Sequence, residues 1–135
     1  MPSAHFIVYG DPVPHVSVTY RSRYHPGNRR AKKVAIYKET VRRSALLAKV
    51  KLPTPTEERP VFVITMAYFR DHRHGDPESI HKAIKDALWP ARDGGDKYTG
   101  GSYSEPRYAP ASPRVVVYLA WVEEIRAGVI MEKIG

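Results

Sequence analysis

The chain reads as one α+β domain, a mixed β-sheet with two main helices in the order β-(β)-α-β-α-β. Three observations predict it. Residues 61–69 and 114–122 are nearly unbroken runs of β-branched, aromatic and other apolar residues, as strands inside a sheet are. Residues 30–50 and 77–89 repeat apolar side chains at spacings of three and four, the period of an amphipathic helix. The 135 residues, 42% of them hydrophobic, suit a single core.

Taken in order, His-Phe-Ile-Val-Tyr at 5–9 predicts a first strand, stopped by Gly10, Asp11, Pro12 and Pro14. Residues 16–24 alternate and predict a short second strand or an extended loop carrying Arg21 and Arg23, closed by a turn at Pro26-Gly27-Asn28. In the helix at 30–50, Val34, Tyr37, Val41, Ala45 and Ala48 form the apolar stripe. Leu52-Pro53 is expected to end it, since proline disfavours a helical residue before it. The unalternating run 61–69 predicts a central strand buried on both faces. Residues 70–75 form the loop at its end. In the helix at 77–89, Ile80, Ala83, Ile84, Ala87 and Leu88 make the stripe, with Asp76 as N-cap and Pro77 at the first helical position. Residues 90–113 show no period and read as one long loop. Residues 114–122 are the last strand, and 123–135 a tail or edge strand of the same domain, which spans 1–135.

Composition excludes several classes. With no cysteine there is no disulfide, thiolate metal site or cysteine nucleophile. No run approaches a membrane span, and the first residues lack the basic-then-apolar pattern of a secretory signal, so a soluble cytoplasmic protein without membrane partners is expected.

Charge is unevenly spread. Of 22 basic and 14 acidic residues, 20–51 hold eleven bases and one acid, Glu39. That segment alone is +10 in a chain whose net charge is +8. Clustering of this kind points to a polyanion, most often nucleic acid. A solvated basic helix face is the plainer alternative. Residues 71–96 hold Asp71, Asp76, Glu78, Asp86, Asp93 and Asp96. Bases to hold a phosphate backbone beside carboxylates to hold an ion are what a metal-dependent nuclease needs.

The segment 75–99 carries the chemistry. Asp76, Glu78, Ser79, Lys82 and Asp86-Ala87-Leu88, followed by Gly95-Asp96, resemble the signature of the RusA-type Holliday junction resolvases: Asp-x-Asp-Asn-apolar-x-Lys, then Asp-Ala-Leu, a short loop and Asp-Asp. The resemblance covers roughly 6–122 and includes the Gly10-x-Pro12-x-Pro14 turn and Pro113-Arg114 before the last strand. Glu78, Ser79 and Gly95 depart from the pattern.

The resemblance implies a RusA-like fold and a divalent-metal-dependent endodeoxyribonuclease that resolves four-way junctions as a homodimer in a bacterial or phage-infected cell. It implies Asp76, Glu78 and Asp96 as metal ligands and, with Lys82, as catalytic residues. Asp86 and Ser79 would support them. Oxygen-only ligands select Mg2+, or Mn2+, over zinc. Arg21, Arg23, Arg29, Arg30, Lys32, Lys33, Lys97 and Arg107 are the expected DNA contacts. The departures leave a second reading, a branched-DNA-binding protein of the same fold with impaired cleavage. A phosphodiesterase acting on RNA or flaps is a third.

Blander readings stand beside these. Asp76 also suits a plain N-cap, and Lys82 an i,i+4 ladder with Glu78 and Asp86. His72, His74 and His81 form no zinc set without cysteine or a fourth histidine nearby, and phosphate contact or polarising water is left to them. Asp71 and Asp93 read as solvated loop acids, Asp93 also as a substitute for the acid missing at Gly95. Tyr98, Tyr103 and Tyr108 either stack on unpaired bases or anchor the long loop.

Overall fold

The computed structural model describes residues 4–15, 29–90 and 95–126. The expected second strand at 16–24, with Arg21 and Arg23, lies outside the described residues, as do Asp93 and 127–135.

Among the described residues, five strands and three helices make a mixed α+β fold. The strands are β1 (Ala4–Tyr9), β2 (Val61–Phe69), β3 (Thr99–Tyr103), β4 (Arg107–Tyr108) and β5 (Arg114–Trp121). The helices are α1 (Arg29–Leu47), α2 (Pro77–Leu88) and α3 (Val122–Arg126). The sheet order is β1-β5-β2-β3, with β4 pairing β2 beyond β3. β5 is antiparallel to both β1 and β2, so β1 and β2 point the same way. β3 and β4 run parallel to β2.

β2 lies inside the sheet as expected, but it is not buried on both faces. Val61, Val63, Thr65, Ala67 and Phe69 are buried, while Phe62, Ile64, Met66 and Tyr68 between them are half-buried. The reason is layering. The odd positions share one core with Phe6, Val8, Val115, Val117 and Leu119 and with the buried stripes of α1 and α2. Both helices therefore cover one face, and the other is open among the described residues. The apolar run of β2 reflects that half-covered face.

α1 ends earlier than its apolar stripe suggests. Val34, Tyr37, Val41 and Ala45 are buried, but Ala48 is exposed and outside the helix. The stop is local rather than imposed by Pro53. Lys49 takes a left-handed φ of 58°. Its N–H donates to Leu46 O at 3.0 Å, and the Val50 N–H donates to Ala45 O at 3.0 Å. These are the paired bonds of a Schellman cap, with lysine where glycine is usual, and Val50 packs on the core.

The long loop expected at 90–113 contains β3 and β4. Gly100, Gly101 and Ser102 hide β3 from propensity. Gly101 is needed for close approach, because a Cβ there would meet the Val63 carbonyl and lie 3.0 Å from the His81 ring. The expected edge strand after 122 begins instead as α3, whose Val122 N–H donates to Pro60 O at 3.0 Å. Among the described residues no helix is long and apolar enough to cross a membrane.

Candidate functional site

Because β1 and β2 are parallel, Tyr9-Gly10 and Phe69-Arg70 leave the sheet at the same edge. Crevices outside the carboxyl ends of parallel strands are where open α/β sheets bind ligands. The two exits are tied together. Arg70 donates to both carboxylate oxygens of Asp11, at 3.1 and 3.3 Å, and Gly10 N–H donates to Pro113 O. The 11–15 segment then runs onto the start of α2, where His15 N–H donates to Ser79 O at 2.9 Å. Gly75 lets it pass, since a Cβ at 75 would sit 2.7 Å from Pro14 Cγ.

Both main helices begin at this edge. Lys38 and Arg42 of α1 reach Asp86 and the Ala87 carbonyl of α2, at 3.8 and 3.3 Å, so equivalent turns lie side by side and the two axes run the same way. Two helix N-termini place partial positive charge here. The first turns differ. α2 has Asp76 as N-cap, accepting from the Glu78 N–H at 3.2 Å, and Pro77 at its first position, as the sequence predicts. α1 has no acid in its first turn and opens on Arg29, Arg30, Lys32 and Lys33, all exposed. Cations at a helix N-terminus oppose the macrodipole, a cost that a bound anion removes.

A cavity of about 580 Å3 lies between these parts, lined by Asp11, Pro14, Lys33, Phe69 and residues 70–75. A second groove, lined by Tyr9, Asp11, Arg29, Lys32, Lys33 and Ile36, continues from it along α1. At the same edge the guanidiniums of Arg114 and Arg107 lie 4.1 and 5.9 Å from the Tyr68 ring. Arg70 and Asp11, 59 residues apart, form an ion pair lining the candidate site that sequence reasoning misses. The bases Arg70 and Arg73 around Asp71-His72 are a signal for the loop, and none in the sequence points to Asp11.

Asp76 and Glu78 are exposed, and neither is ion-paired among the described residues. Lys82 follows one turn beyond Glu78, with its Nζ 3.8 Å from Asp86 Oδ1. Asp86 is in ion-pair contact with Lys82 and also with Lys38. It lies 3.2 Å from His15 Nδ1, close enough for charge attraction but off the hydrogen-bond direction. Burial lowers the His15 pKa more than Asp86 raises it. Ser79 gives its carbonyl to His15.

Asp96 does not join Asp76 and Glu78. Its Oδ2 lies 3.9 Å from Lys85 Nζ, and its carbonyl accepts from the Thr99 N–H and hydroxyl. More than two turns of α2 separate Asp76 from Lys85, about 13 Å of rise. The cause is topology. Asp96 leads into β3, whose Thr99 pairs with Val61 at the amino end of β2, whereas Asp76 follows the carboxyl end. Lys97 is at that far end too, 5.2 Å from the Tyr98 ring. Among the described residues no three His, Asp or Glu side chains gather into a metal-holding group.

No protein-family model and no curated protein matches this chain.

The donors fit a divalent cation in one arrangement. Mg2+ is commonly held by one or two carboxylates, with water and substrate phosphate completing six oxygens. Asp76 and Glu78 are two such carboxylates, open to solvent at a helix start on the edge where α1 opens on basic residues. Asp96 would serve only from a different loop position.

The histidines divide by role. His81 is buried in α2, its Nδ1 2.9 Å from the Thr65 hydroxyl. Burial, then Lys85, lowers its pKa to about 4, so it is neutral and structural. His74 stacks on Phe69 at 3.8 Å between ring centroids. Its Nδ1 lies 2.7 Å from the Gly75 carbonyl, which only accepts, so Nδ1 carries the proton. In the neutral ring Nε2 then accepts from the Tyr108 hydroxyl at 2.9 Å. His72 lies against the same tyrosine ring. Tyr103 touches His81 and is half-exposed at the end of β3.

Proposed function

We propose that this protein is a divalent-metal-dependent, structure-selective endodeoxyribonuclease that hydrolyses phosphodiesters in four-way DNA junctions, acting as a homodimer. The observation that carries the reading is the carboxyl edge itself. The basic first turn of α1 and the 70–73 loop share that edge with two exposed carboxylates at the start of α2 that have no base paired to them among the described residues. Cations set against a helix dipole, beside unpaired acids, make sense for a site whose ligands are a phosphate backbone and a metal ion.

In this reading Asp76 and Glu78 hold Mg2+ or Mn2+, which when bound polarises the scissile phosphate and favours ionisation of water. Arg29, Arg30, Lys32, Lys33 and Arg107 hold the backbone on either side. Lys82, one turn along α2, meets the negative charge that develops on phosphorus-bound oxygen. The resemblance of the 75–99 segment to RusA-type resolvases supports the junction as substrate. A two-fold dimer would match a junction's two equivalent scissile strands. The uncovered sheet face, with Ile7, Phe62, Ile64 and Met66, offers apolar area for such a partner.

The engagement of Asp96 by Lys85 favours a second reading, a protein that binds branched DNA and does not cut it. Incubating a labelled four-way junction, its component duplex and its single strands with the protein separates the readings. The proposal expects nicks in the junction alone that need Mg2+ or Mn2+ and stop with chelator. Junction binding without nicks under either metal would establish the second reading.

A further inference from the structure

Beside the carboxylates, the 70–75 loop builds something that metal chemistry does not use. His74 is fixed three ways, by stacking on buried Phe69, by the Gly75 carbonyl and by the Tyr108 hydroxyl. Through it Tyr108 is held in place while the residue stays 44% exposed, and the ring of exposed His72 lies against it, 4.6 Å between centroids. The loop is held further by the Arg73 N–H donating to Asp71 Oδ1 at 2.8 Å. The product is an exposed tyrosine ring held in place by His74, with exposed His72 against it, which is the opposite of what core anchoring would produce.

The cavity next to them, about 580 Å3, has the size of a small-ligand site. Its cations are unequal. Arg70 is neutralised by Asp11, but Lys33 and Arg73 have no carboxylate within ion-pair distance among the described residues. An aromatic platform beside two uncommitted cations matches one nucleotide, with a base to stack and a phosphate to hold. A paired base inside a duplex presents no free face to such a platform, whereas an unpaired one does.

We infer that the pocket between the 11–14 and 70–75 segments receives the phosphate of one unpaired nucleotide of the bound DNA, between Lys33 and Arg73, while its base stacks at the pocket rim on His72, which lines the pocket, and on Tyr108 behind it. The inference rests on the nucleic-acid reading above and adds to it the feature that distinguishes branched from linear DNA.

The test compares a blunt hairpin duplex with the same hairpin carrying a four-thymidine 5′ or 3′ tail, by fluorescence anisotropy at fixed salt with Ca2+ in place of Mg2+. The wild type should prefer one tailed form by about tenfold, the scale of one stacked base. Tyr108→Ala should erase that preference while blunt-duplex affinity stays within about twofold, since backbone contacts dominate there. Tyr108→Phe, which keeps the ring, should retain the preference. His72→Ala serves as the second variant if circular dichroism shows Tyr108→Ala unfolded. Equal binding of blunt and tailed DNA by the wild type, or equal weakening on both in Tyr108→Ala, would overturn the pocket while leaving the polyanion reading intact. No binding to any of the DNAs would overturn both.

Discussion

The two ends of the α2 layer contain the same kinds of side chain in different electrical states. At its start Asp76 and Glu78 stand exposed without a base among the described residues, on the edge that also carries the basic first turn of α1 and the 70–73 loop. Further along the helix each acid meets cations: Asp86 pairs with Lys82 and Lys38, and Asp96 with Lys85. The paired end needs nothing from outside to be electrically satisfied. The start of α2 leaves Asp76 and Glu78 without a base among the described residues, on the edge where α1 opens on basic residues, and the proposed reading assigns a cation and an anion to that edge. Composition treats the acids of 71–96 as one cluster, but the fold divides them.

The sharpest way to break this contrast is to remove one acid from each end. Asp76→Asn should lower junction cleavage by ~10³-fold or more while junction binding holds or tightens, because repulsion toward phosphate falls. Asp96→Asn should cost less than about tenfold, as a residue outside the metal site. Equal, severe losses in single-turnover assays would show that both acids serve one centre.

Lys82 stands between the two ends. Lys82→Ala should slow single-turnover cleavage by ~10²-fold, the scale of removing one electrostatic donor, with little change in junction affinity. As a mere partner of Asp86 it would leave turnover alone and cost well under ~1 kcal/mol of stability.

Backbone binding should follow the same division. Neutralising Arg29, Arg30, Lys32 and Lys33 together should weaken every DNA shape. The salt slope of binding should fall by ~0.9 for each phosphate that is no longer neutralised. Lys97→Ala, at the far end, should leave the slope unchanged.

Within the satisfied end, His81 provides a pH signature. Its pKa is about 4 when folded against an ordinary 6.5, so the unfolded chain takes the proton first. Its contribution is full above pH 6.5 and is lost as pH falls from there toward 4. The urea midpoint should drop over that window, and less so in His81→Gln. The smallest effect concerns neither end. Lys49→Gly should raise stability by ~0.5–1 kcal/mol, since glycine adopts the left-handed cap without a Cβ clash.

Much of the fold is legible in the sequence because it is periodic. The stripes of α1 and α2, the Asp76-Pro77 start and the apolar runs of β2 and β5 all follow from spacing. β3 and β4 are not, since Gly100-Gly101 answers to the His81 ring and the Val63 backbone rather than to propensity. The open sheet face is hidden because an apolar run does not say whether a second layer covers it. At the site, Asp76, Glu78 and Lys82 are legible as a motif on one helix. The partner of Asp96 is not, because the strand pairing that carries it to the other end of β2 is long-range. The Asp11–Arg70 link, between the exits of two strands, is invisible for the same reason.

The measurement closest to the central claim locates the metal without relying on activity. Substoichiometric Mn2+ added to isotope-labelled protein broadens amide signals near the ion. The account predicts that signals from 70–79 and 11–15 vanish first, that Asp76→Asn abolishes the effect, and that 95–101 stay sharp. Broadening centred on 95–101, or reaching both segments together at the lowest Mn2+, would contradict a metal centre built at the carboxyl edge by Asp76 and Glu78.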